Sequence, residues 1–66
     1  MQKEIIKINM PNKNLTFSER EKIINTETQK IMESYNNRGY IVISHSILNK
    51  SGSGVSVQFD IQQMPR

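Results

Sequence analysis

Between Val55 and Gln62 the chain alternates strictly: Val55, Val57, Phe59 and Ile61 are apolar, and Ser56, Gln58, Asp60 and Gln62 are polar. A period of two places successive side chains on opposite faces of a pleated strand, so this segment has one dry face and one wet face. Whatever else the chain does, it must bring apolar cover to the dry face. With 66 residues it has room for one domain. A domain that small removes only about 60% of its unfolded surface from water, so its core is thin.

The cover comes from one amphipathic helix. Phe17, Ile24, Thr28, Ile31 and Tyr35 recur at spacings of three to four and seven, flanked by Ile23 and Met32, and form an apolar stripe. Glu19, Lys22, Asn25, Gln29, Lys30, Glu33 and Asn36 fill the other side. Thr16 with Glu19, or Ser18 with Glu21, supplies a capping box at the start. Gly39 ends the helix in a left-handed conformation, and Arg38 suits the negative end of its dipole.

Two further strands flank this helix. Glu4 to Met10 is strand one, with Ile6, Ile8 and Met10 on one face and Ile5, Lys7 and Asn9 on the other. Pro11-Asn12-Lys13-Asn14 breaks it. Tyr40 to Leu48 is strand two, with Ile41, Ile43, His45 and Ile47 assigned to one face and Tyr40, Val42, Ser44, Ser46 and Leu48 to the other. Asn49 to Gly54 is a hairpin loop into strand three, and Gln63 to Arg66 is a tail. The fold class is therefore α+β with order β-α-β-β. It forms a three-stranded antiparallel sheet of order 1-3-2 with the helix across one face, because a right-handed crossover leaves a gap for strand three.

Composition narrows the function classes. There is no Cys and one His, which excludes disulfides, thiolate metal sites and any catalytic set built on Cys. Small domains lacking such staples gain stability by self-association or else stand as bare but well-packed monomers; strands one and two are free edges that seek partners, so a homo-oligomer is expected. Nine Lys and Arg against six Asp and Glu give a net charge of +3, scattered rather than striped, which makes nucleic acid the less favoured partner. The segment after Met1 has no signal-peptide core and no run is long enough for a membrane span, so a cytoplasmic protein is expected.

The candidate site is the uncovered sheet face. Tyr40, Ser44, Ser46, Gln58, Gln62 and Lys7 would lie there, beside Val42, Asp60, Ile5 and Asn9. A ring stacks, amides read hydrogen-bond edges, and Ser and Lys hold polar groups or phosphate, so a flat aromatic or nucleotide-like ligand is expected, a flavin among them. The competing readings of the same face are a polar subunit interface or a plainly solvated surface. His45 is expected at the core edge, since no Ser-His-Asp set surrounds it. Glu27 with Lys30 and Lys30 with Glu33 are ordinary surface pairs. The Ser-Gly-Ser-Gly of the hairpin lacks the helix and the Lys that a phosphate loop needs. No catalytic or metal site is assigned, and the chain is not expected to be an enzyme.

In element order and length the chain resembles the dodecins, small β-α-β-β proteins that assemble into hollow dodecamers and stack flavins. Tyr40 falls where that family has a stacking Trp, and Gln58 near its isoalloxazine-contacting Gln. Arg38-Gly39-Tyr40-Ile41-Val42-Ile43-Ser44 is also similar to the helix-Gly-aromatic-strand step of small bacterial and phage domains. Both resemblances imply an oligomeric binding protein. The alternative is a small interaction or inhibitor protein that grips a larger protein through a strand edge.

Overall fold

The structure is a computed structural model that describes residues 2–12 and 14–65. Lys13, in the expected break after strand one, and Arg66 of the tail lie outside the described residues. Its elements are β1 (Gln2–Asn9), α1 (Phe17–Asn37), β2 (Tyr40–Lys50) and β3 (Gly54–Gln63). They form a single antiparallel sheet of order β1-β3-β2, as expected from the crossover and the short hairpin. The long axis is 45 Å, against 18 and 14 Å in the other directions.

Helix α1 starts on Thr16, which resolves the choice between two capping boxes. The Glu19 amide donates to Thr16 Oγ1 at 3.2 Å, and the Thr16 amide donates to Glu19 Oε1 at 3.0 Å. Two otherwise unpaired amide donors are thereby satisfied. At the other end Gly39 has φ +90°, where a side chain would be strained, and its N–H donates to Asn36 O at 3.1 Å. The Arg38 guanidinium lies 4.8 Å above the Tyr35 ring. It therefore gains from a ring face as well as from its place beside the last carbonyls.

The core is built on the middle strand. Val55, Val57, Phe59 and Ile61 are at most 1% exposed, closed over by Ile24, Thr28 and Tyr35 of α1 and by Ile8 and Met10. Ile6, Ile23, Ile31, Met32, Tyr40 and Val42 pack around this cluster. Phe17, expected on the helix stripe, is 74% exposed. It is the first residue of α1, and the buried part of the stripe begins two turns later at Ile24.

The strands differ from expectation at their ends. β1 spans Gln2–Asn9, and Met10 follows it as a buried residue whose N–H donates to Ser53 O at 3.0 Å. β2 continues through Asn49 and Lys50, which pair with Ser56 and Val55, so the hairpin loop shrinks to Ser51-Gly52-Ser53. Polar residues read as loop are held there by ladder hydrogen bonds. The loop is also pinned to the helix: Arg20 Nη2 donates to Ser51 O at 2.8 Å, and Lys50 Nζ lies 3.2 Å from Glu21 Oε1.

Candidate functional site

Directly opposed residues of neighbouring strands share a face, so the register assigns every side chain of the sheet. Along β1 and β3 the pairs Ile5 with Gln58, Lys7 with Ser56 and Lys3 with Asp60 lie on the open face, as the alternation predicts. Along β2 the phase changes twice. Val42 pairs with Ile61 but Ser44 pairs with Asp60, leaving Ile43 without a counterpart; Ile47 pairs with Val57 and Asn49 with Ser56, leaving Leu48 over. Each is a bulge, where one extra residue reverses the order of faces beyond it.

The bulges correct the assignment of faces in β2. Tyr40 and Val42 lie on the helix-covered face, Val42 opposite Ile61 and Tyr40 opposite Gln63. The Tyr40 ring packs edge-on against Tyr35, with centroids 6.5 Å apart and planes at 82°. Ile41 lies on the open face opposite Gln62. His45 and Ile47 remain on the helix side, but both are exposed, and the His45 ring stands 6.0 Å from that of Phe59. Of the expected ligand residues, the structure thus brings Ser44, Ser46, Gln58, Gln62 and Lys7 to one face and turns Tyr40 to the other.

That face is a grid. One row runs Ser44, Asp60, Lys3; the next Ser46, Gln58, Ile5; the third Asn49, Ser56, Lys7. Asp60 is the middle of the first row. Ser44 Oγ donates to Asp60 Oδ2 at 2.8 Å and Gln58 Nε2 to Asp60 Oδ1 at 3.3 Å, so both carboxylate oxygens are engaged. The carboxylate thus ties neighbouring strands together across the open face. Ser46, Gln62 and the Lys7 ammonium remain available to a molecule laid on this surface. The Lys7 stem passes over Gly54, whose missing Cβ would sit 2.8 Å from Lys7 Cε.

On the helix side, α1 leaves a groove along each outer strand. The groove beside β1 measures about 650 Å³ and is lined by Ile6, Ile8, Met10, Pro11, Ile23 and Ile31, with Lys7, Asn9 and Glu27 also at its wall. The groove beside β2 measures about 290 Å³, between Glu21, Ile24, Asn25 and Thr28 of α1 and His45 and Ile47 of β2. Neither contains a nucleophile paired with a base. Among the described residues no group of three or more His, Cys, Asp or Glu is placed to hold a metal ion. No described helix is long and apolar enough to cross a membrane.

The feature that alternation did not reveal is the outer edge of β2. Ile41 is 45% exposed, Ile43 49%, Ile47 43% and Leu48 51%. The signal was present as Ile41-Val42-Ile43 and Ile47-Leu48, apolar runs too continuous to have a single buried face. No family model, curated protein or solved structure matches the chain.

Proposed function

We propose that this chain is a non-enzymatic interaction module that works as a homo-oligomer and presents its open sheet face to a partner. The observation that carries this reading is the outer edge of β2, which has no partner strand among the described residues, four half-exposed Ile and Leu residues and no formally charged residue from Tyr40 to Asn49. An exposed, apolar, uncharged edge is a template for pairing with another strand. Surface area agrees. A compact monomer of this mass is expected to expose roughly 4,300 Å², and this chain exposes 4808 Å². The excess is more than half of the ~800 Å² that each partner buries in a standard interface. Native mass spectrometry of the protein as purified from cells tests the reading, with multiples of the chain mass expected. A lone chain at high concentration, with nothing bound, overturns it.

A second reading places a flat polar ligand, flavin-like or nucleotide-like, on the open face. It is favoured by the shared placement of Ser44, Ser46, Gln58, Gln62 and Lys7. The face offers amide and hydroxyl groups without an aromatic platform, so binding rests on edge hydrogen bonds and the Lys7 charge. A thermal shift with flavin mononucleotide that disappears in Gln58→Ala supports this reading. The absence of any shift with flavins or nucleotides removes it.

A further inference from the structure

The homo-oligomer reading above leaves open the register in which the β2 edge pairs, and the geometry of β2 fixes it; the inference rests on that reading. The two sheet edges are chemically unlike. β1 carries Lys3, Glu4 and Lys7, charges that discourage a second strand. β2 has no formal charge before Lys50.

A strand that pairs antiparallel with its own copy along its whole length has one register. For Tyr40–Lys50 that register opposes Tyr40 to Lys50 of the second copy and puts the two-fold axis on His45. Opposed residues must share a face, and the observed bulges decide whether they do. Tyr40 and Lys50 both lie on the helix-covered face, opposite Gln63 and Val55. Ile41 and Asn49 both lie on the open face, opposite Gln62 and Ser56. Ser44 and Ser46 both lie on the open face, opposite Asp60 and Gln58. A single bulge would have mismatched the ends. Two bulges, at Ile43 and Leu48, restore the phase, so the opposed residues that both have a partner on β3 share a face. The remaining pairs are Ile43 with Ile47 and Val42 with Leu48, each made twice by symmetry, so Ile43, Ile47 and Leu48 meet apolar partners while Ile41 meets Asn49.

We propose that two copies join through β2, antiparallel and centred on His45, into one six-stranded sheet of order β1-β3-β2-β2-β3-β1. The open face then doubles into a continuous polar platform, and each end of the sheet is a charged β1 edge that stops further growth.

The chain has no cysteine, so single-cysteine variants report the register directly. Opposed Cβ atoms across an antiparallel pair lie about 4.5–5.5 Å apart, close to disulfide reach. Under mild oxidation His45→Cys is expected to convert most of the protein to a covalent species of twice the 7.7 kDa chain mass. Ser44→Cys mixed with Ser46→Cys is expected to give the mixed dimer in large excess over either self-dimer. That mixture decides the register if His45→Cys fails to fold. Lys3→Cys, on β1, is expected to stay uncrosslinked. Oligomers in native mass spectrometry together with no mixed Ser44→Cys/Ser46→Cys dimer would overturn this register and leave the oligomer reading intact. A lone chain in that measurement overturns both.

Discussion

Tyr40 separates two pictures of this molecule. On the open face it would be a surface residue, and its loss would change stability by no more than about 0.5 kcal/mol. On the helix-covered face it is part-buried against the core and meets Tyr35 edge-on at 6.5 Å. Truncating a fully buried aromatic residue to Ala costs about 3–5 kcal/mol. Halving this for a part-buried ring leaves roughly 2 kcal/mol, of which the ring pair supplies about 0.5–1.5. In a domain of this size each kcal/mol moves Tm by about 4–8 °C. Tyr40→Ala is therefore expected to lower Tm by about 8–16 °C, measured by far-ultraviolet circular dichroism at fixed protein concentration. A cycle of Tyr40→Leu and Tyr35→Leu is expected to return a coupling of about 0.5–1.5 kcal/mol. A Tyr40→Ala protein within about 0.5 kcal/mol of the parent in urea melts, with no coupling to Tyr35, would refute the bulge-shifted register.

Thr16→Ala is expected to cost about 1 kcal/mol in urea melts by removing the cap, while Ser18→Ala leaves the midpoint in place. The Thr16 backbone N–H holds the Glu19 carboxyl below its ordinary 4.5. Its share of the cap is present above that value and lost as pH falls through the lowered pKa, which carboxyl chemical shifts followed by NMR will show. Burial, with the negative charge of Glu4, pushes the Tyr35 phenol above 10, partly offset by Arg38. Stability is expected to hold up to pH 10 and to fall as pH rises through the Tyr35 pKa, as an ultraviolet titration of Tyr40→Phe protein reports; a Tyr35 phenol that ionises at its ordinary value contradicts the packing. At Gly54 a Cβ would stand 2.8 Å from the Ile8 carbonyl oxygen, which the β1 ladder holds in place. Gly54→Ala is expected to cost about 1–3 kcal/mol, while Gly52→Ala, with nothing within 4 Å, is expected to be neutral by the same melts.

Much of this architecture was legible because the middle strand has an unambiguous period. Val55 to Ile61 alternate without a break, so the buried face of β3 follows directly, and its central place follows from the crossover that leaves a gap for it. The phase of β2 was not legible, for a physical reason. Ile41, Val42 and Ile43 are all apolar, so the pattern cannot say which of them faces the core. Pairing with β3 decides it: the unmatched Ile43 leaves Ser44 to Ile47 on the faces that alternation assigns and reverses Tyr40, Ile41 and Val42 before it. Of the candidate site, the Ser, Gln and Lys members were placed by alternation alone, because Ser44 and Ser46 lie between the bulges in phase with Gln58 and Asp60. Tyr40 lies before the first bulge, out of phase with them. Phe17 shows a different limit: periodicity continues past the point where the helix has anything beneath it.

The two unmatched residues of β2 also mark where this chain tolerates shortening. In most of a strand, losing one residue turns every later side chain inside out. Ile43 and Leu48 oppose nothing on β3, so excising either removes a kink and leaves Ser44 across from Asp60 and Asn49 across from Ser56. Lineages descended from this sequence can therefore lose either codon and inherit the same interior, though with one bulge left the edge no longer matches its own copy, whereas a lost codon at Ser44 or His45 must be answered by a second change nearby.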